Sequence, residues 1–144
     1  MSCGIRTDAL AKVLVDTSVW IEFFRKKEPY HRVVSELMDN DSICCLGIVV
    51  AELLQGAKSE KELNTIKDFL HVFDFLPEAV ESWEKAGELS FLLHGKGRAA
   101  GLSDCYIAVA VQAADVRLFT LDKHFSVIRK EIGLNLYGVG ASDT

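Results

Sequence analysis

Four acidic residues occupy positions where an apolar side chain would be the cheaper choice. Asp16 closes the run KVLVD, Asp122 follows VRLFTL, Asp104 opens DCYIAVAVQAA, and Glu52 interrupts VVAELLQG. Taken one at a time, most have ordinary explanations. Asp16 and Asp104 suit helix N-caps, and Asp122 suits a strand-to-helix turn. Glu52 is harder to explain, because a helix apolar nearly all round is buried and an unpaired carboxylate inside it is costly. Two carboxylates about 4 Å apart repel by roughly 4 kcal/mol at an effective dielectric near 20. Four in one cleft therefore need protons or a cation. Oxygen donors without cysteine or histidine favour Mg²⁺ or Mn²⁺ over zinc. Such an ion in a carboxylate cleft serves phosphate chemistry, by acidifying a water and holding the attacking and leaving oxygens. The chain has no P-loop, and phosphodiester hydrolysis is the leading reading.

The elements that must position these acids follow from periodicity. KVLVD (12–16), SICCL (42–46), VFDFL (72–76) and VRLFTL (116–121) read as short buried strands, with a last strand near LNLYGV (134–139). Between them, TSVWIEFFRKK is helical in period, with Trp20, Phe23 and Phe24 inward. HRVVSELMDN repeats Val33, Val34, Leu37 and Met38 at helical spacing, and GIVVAELLQGA reads as a buried helix. Ser59 and Glu62 form a capping box for the helix ending near His71. Pro77 opens a long helix with an inward stripe of Val80, Trp83, Leu89 and Leu93, which Gly95 ends. After the glycine-rich loop GKGRAAG, Ser103 or Asp104 caps the next helix, and KHFSVIRK is a short one. Strands alternating with helices predict one doubly wound α/β domain over 1–144 with a mainly parallel sheet. Residues 1–10 form an N-terminal extension of no assigned role. In such sheets ligands bind beyond the carboxyl ends of the strands, where all four acids are expected.

Composition narrows the class. A chain of 144 residues fits one domain with a real core. No apolar run approaches the roughly 20 residues of a membrane span. MSCGIRTDALAK lacks the apolar core of a secretory signal, so a cytoplasmic protein is expected. Cys3, Cys44, Cys45 and Cys105 match no zinc spacing and read as buried thiols. A net charge of −5 argues against a bulk electrostatic nucleic-acid binder, but not against an enzyme whose acids hold cations.

Four stretches, VDTSVWIEFF, VAELLQGA, GLSDCYIAVAVQ and FTLDKHFSVI, in this order and spacing, resemble the PIN-domain family and, within it, VapC-type ribonuclease toxins of type II toxin–antitoxin pairs. The likeness runs from Lys12 onward. It implies a PIN fold and an Mg²⁺- or Mn²⁺-dependent endoribonuclease with Asp16, Glu52, Asp104 and Asp122 as the acidic positions. Asp16 and Asp104 would be the central metal ligands, Glu52 a ligand or the activator of water, and Asp122 a direct or water-mediated ligand. Thr17 or Ser18, and Thr120, match the small hydroxyl positions beside the acids. The resemblance further implies a homodimer and an antitoxin whose C-terminal segment covers the cleft. Arg25, Lys26, Lys27, Lys96, Arg98, Lys123 and His124 lie on segments near the same edge and are candidate phosphate contacts, among which solvated surface charge is the alternative.

Two rivals remain. A phosphoacceptor receiver domain wants two adjacent acids after strand one, where this chain has one acid followed by Thr17 and Ser18. A non-catalytic PIN-like module that binds RNA or protein keeps the fold without the cutting.

Overall fold

The computed structural model describes residues 12–138; the expected N-terminal extension and Cys3 lie outside them. Strands β1 (Val13–Val15), β2 (Ile43–Cys45), β3 (Asp74–Phe75) and β4 (Arg117–Phe119) form one sheet in the order β3-β2-β1-β4. Every pairing is parallel, with Leu14 opposite both Cys44 and Leu118. β1 has a neighbour on each side and its Val-Leu-Val is fully buried, as a central parallel strand requires. The chain moves outward from β1 through β2 to β3, then returns to place β4 on the far side of β1. Strand order therefore reverses between β1 and β4, and a doubly wound sheet opens its crevice at such a point.

Seven helices flank the sheet among the described residues. α1 (Thr17–Phe24), α2 (Tyr30–Asp39), α3 (Gly47–Gln55) and α4 (Glu60–Leu70) precede β3, whereas α5 (Val80–Gly95) and α6 (Leu102–Ala114) lie between β3 and β4. α7 (His124–Arg129) follows β4. α1 packs on α2 and α3, and α6 packs on α5 and α7. Right-handed crossovers assign these two groups to opposite faces of the sheet. Fully buried Trp20 joins the first group, with ring centroids 5.5 Å from Phe23 and 5.7 Å from both Phe69 and Phe73. α6 is the most deeply buried helix, with Cys105 to Val111 all in the core.

Several sequence expectations change. The last strand reduces to a single parallel bridge between Leu118 and Leu136 among the described residues. α5 begins at Val80, not at Pro77, and Val80 and Trp83 are exposed; the inward stripe is Ala86, Leu89 and Leu93. Phe24 is also exposed, unlike Trp20 and Phe23. α3 buries only Val49 and Leu53, so Glu52 sits half-buried on a helix with one covered face. The capping box differs in its second half: Ser59 Oγ accepts the Glu62 N–H at 3.0 Å, but the Glu62 carboxylate reaches the N–H of Lys58 at 2.7 Å. Burial lifts the Cys44 and Cys45 thiols to about 12 and about 11, which makes them small apolar groups.

Candidate active site

β1 ends in a carboxylate. Asp16 occupies the N-cap position of α1, yet its side chain caps nothing and is nearly inaccessible at 5%. Its Oδ2 accepts instead from Thr120 Oγ1 at 2.8 Å and from Ser18 Oγ at 2.9 Å. Thr120 follows β4, so these two bonds tie the ends of the two strands that flank the crevice. The same hydroxyls extend the tie, since the N–H of Leu121 donates to Ser18 Oγ at 3.0 Å and that of Asp122 to Thr120 Oγ1 at 3.0 Å. Thr17, next along, donates to Glu52 Oε1 at 2.8 Å. Thr17, Ser18 and Thr120 thus each orient an acid.

Asp104 lies in the first turn of α6, whose N-cap is Gly101. Neither Ser103 nor Asp104 is the cap, and this carboxylate is free for another use. Asp104, Asp122 and His124 each bring one donor atom within 4.8 Å of the others. His124 Nδ1 stands 2.9 Å from Asp122 Oδ1 and 3.8 Å from Asp104 Oδ2. The backbone N–H of His124 also donates to Asp122 Oδ1, at 2.9 Å.

Electrostatics link all four acids. Burial, followed by repulsion from Asp122, Asp16 and Glu52, pushes Asp104 up to about 6. Asp16 is raised too, chiefly by burial, with the Thr120 and Ser18 hydroxyls opposing and Glu52 adding repulsion. Among the described residues no lysine or arginine pairs with any of the four; only His124 does. Clustered oxygens and one imidazole without a fixed cation make a donor set suited to a divalent ion. The imidazole was not legible as a donor in the sequence, where it stood only as a basic residue near the edge; its position two residues after Asp122 was the available signal.

The expected cations divide into two kinds. Arg25 lines a groove of about 490 Å³ together with Ile21, Phe24, Glu52, Leu53 and Ile66. Lys123 is exposed beside Asp122. Lys96 and Arg98 are held by one carboxylate, Glu131, at 2.8 and 3.9 Å.

A family model for the PIN domain matches residues 13–131. The chain belongs to the PIN domain family. This PIN domain is 27% identical over 128 residues to Ribonuclease VapC1 of Methanocaldococcus jannaschii, covering 88% of each chain. Its fold resembles VapBC2 from Rickettsia felis bound to a promoter DNA fragment, with a TM-score of 0.70 and 25% identity over 87% of this chain and 96% of that one. DNA-bound VapBC from Salmonella typhimurium gives a TM-score of 0.71 at 23% identity over 88% and 96%, a likeness of fold.

Proposed function

We propose that the protein is a divalent-metal-dependent endoribonuclease of the VapC type, a toxin that an antitoxin neutralises. One observation carries the reading: Asp104, Asp122 and His124 bring donor atoms within 4.8 Å of one another, and burial with repulsion from Asp122, Asp16 and Glu52 raises Asp104 to about 6. The relatives called ribonuclease VapC1 and VapBC support the same activity and the antitoxin. Asp16, Asp104 and Asp122 would hold Mg²⁺ or Mn²⁺, with His124 as a nitrogen donor beside them. The bound ion would polarise the scissile phosphate and acidify a water. Glu52, aimed by Thr17, would be placed to accept a proton from the attacking water, and Ser18 and Thr120 keep Asp16 from turning away. Arg25 and Lys123 would serve as phosphate contacts for RNA, joined by Lys96 and Arg98 once they leave Glu131.

The antitoxin segment has a fitting berth in the groove beside Glu52, where Ile21, Phe24, Leu53 and Ile66 offer apolar anchorage. Homodimer formation would cover Trp83, Phe91 and Leu92 on α5 and Leu102 at the start of α6, which are 43, 81, 43 and 54% exposed. No helix among the described residues is long and apolar enough to cross a membrane, and we place the protein's action in the cytoplasm with its RNA.

Incubating purified protein with RNA in Mn²⁺ tests the activity, with EDTA and the Asp16→Asn and Asp104→Asn variants as controls. We expect cleavage by the wild type in Mn²⁺ alone. Wild-type protein that binds RNA without cutting it in either ion would make this PIN domain a binding module.

A further inference from the structure

Glu78 lies between β3 and α5, outside the acidic cluster, yet its carboxylate joins the two helices that carry Glu52 and Asp104. Its Oε2 accepts the backbone N–H of Gly47, the first residue of α3, at 3.3 Å. Its Oε1 accepts the hydroxyl of Tyr106, two residues after Asp104 on α6. Both ends of this link are well defined. A negative charge is favoured at the first turn of α3, and a Cβ on Gly47 would stand only 3.1 Å from Glu78 Oε2. At the other end the Tyr106 ring is fully buried and stacks on Trp83, with centroids 3.6 Å and planes 14° apart, which fixes the direction of its hydroxyl. Burial and then the Glu78 carboxylate raise the Tyr106 hydroxyl above its ordinary value, so it remains a donor.

The two helices need such a link. α3 packs mainly on α1 and α4, and α6 on α5 and α7, so no broad shared face sets their separation. Glu52 and Asp104 also repel each other. We propose that Glu78 is a positioning residue: the bridge from Gly47 through Glu78 to Tyr106 fixes the spacing of the Glu52 and Asp104 helices, and hence the geometry in which the cluster receives its ion. The inference rests on the metal-dependent reading above.

Three variants probe the bridge by different routes. Tyr106→Phe keeps the ring and its stack, Glu78→Gln keeps the size, and Gly47→Ala favours helix while crowding the carboxylate. Mn²⁺ affinity is read by paramagnetic resonance titration, kcat and KM on a defined RNA, and folding by the melting temperature in EDTA. We expect each variant to bind Mn²⁺ about five- to tenfold more weakly, the scale of one ordinary hydrogen bond lost. kcat falls with it while KM stays within twofold, and the Tyr106→Phe/Glu78→Gln double variant loses no more than either single change. Variants that match the wild type in Mn²⁺ affinity and kcat to within twofold, whatever their melting temperatures, would overturn the proposal. A folded wild type that binds no Mn²⁺ would overturn the metal reading itself, and the bridge's role with it.

Discussion

Asp104 stabilises the fold only when it is protonated or neutralised. Its folded value of about 6 lies above the ordinary 3.8, so between those values the native state holds more protons than the unfolded chain. Stability without metal therefore falls as pH rises through that window. In EDTA we expect the melting temperature to increase between pH 7.5 and pH 5.5, and calorimetry at several pH values checks it. At pH 7.5 in EDTA, Asp104→Asn should melt about 2–6 °C higher than wild type by relieving repulsion, while cutting cleavage at least about a hundredfold. A variant that melts lower would show that the carboxylate has a partner we have not placed. His124 leads to a separate expectation. Imidazole suits Mn²⁺ better than Mg²⁺, so His124→Asn should weaken Mn²⁺ binding several-fold more than Mg²⁺ binding in competitive titration. Equal losses would remove the nitrogen from the donor set and restore the all-oxygen site expected from sequence.

Among the elements, α4 shows how local chemistry translates into stability. Ser59 satisfies one of the helix's unpaired N–H groups, and Ser59→Ala should cost about 1 kcal/mol in urea unfolding with no change in cleavage. This cap could be read from four consecutive residues because both partners lie within them. Faces of helices were read less well. Periodicity identified the apolar positions of α1 and α5, but it could not say what covers them; Phe24 borders a groove, and Val80 and Trp83 face outward. The acids were legible for the opposite reason. Asp16 and Asp122 each follow an apolar strand, and parallel topology alone sends such residues to one edge. Glu78 gives no comparable signal, because its partner Tyr106 is 28 positions away; His124 stands two residues after Asp122, but only tertiary packing brings it to Asp104.

The whole molecule presents two differently built surfaces. One is the groove that reaches Glu52, and the other is the run of exposed apolar side chains on α5, Val80, Trp83, Phe91 and Leu92. Phe91, at 81% exposure, has little reason to be apolar on an isolated chain. The proposed homodimer should fall to a monomer on Phe91→Glu in sedimentation velocity at micromolar concentration; an unchanged sedimentation coefficient would remove α5 as its contact. The last strand falls short of its expected length because of where it lies. LNLYG (134–138) has strand-like residues, but it lies beside β4 at the sheet's edge, where Leu118 donates to the Asn135 carbonyl and accepts from the Tyr137 N–H, before the described residues end.

The hydrogen bond from Thr120 to Asp16 spans 104 positions. A nascent chain that has not yet delivered β4 leaves its first acid without one of its two restraining hydroxyls, that of Thr120, and lacks Asp122 altogether. On the nuclease reading proposed above, a chain still lacking β4 would therefore not yet cut RNA. Fragments ending at Ala114 should leave RNA intact in Mn²⁺, and cleavage by such a fragment would mean that the crevice is not where the cutting occurs.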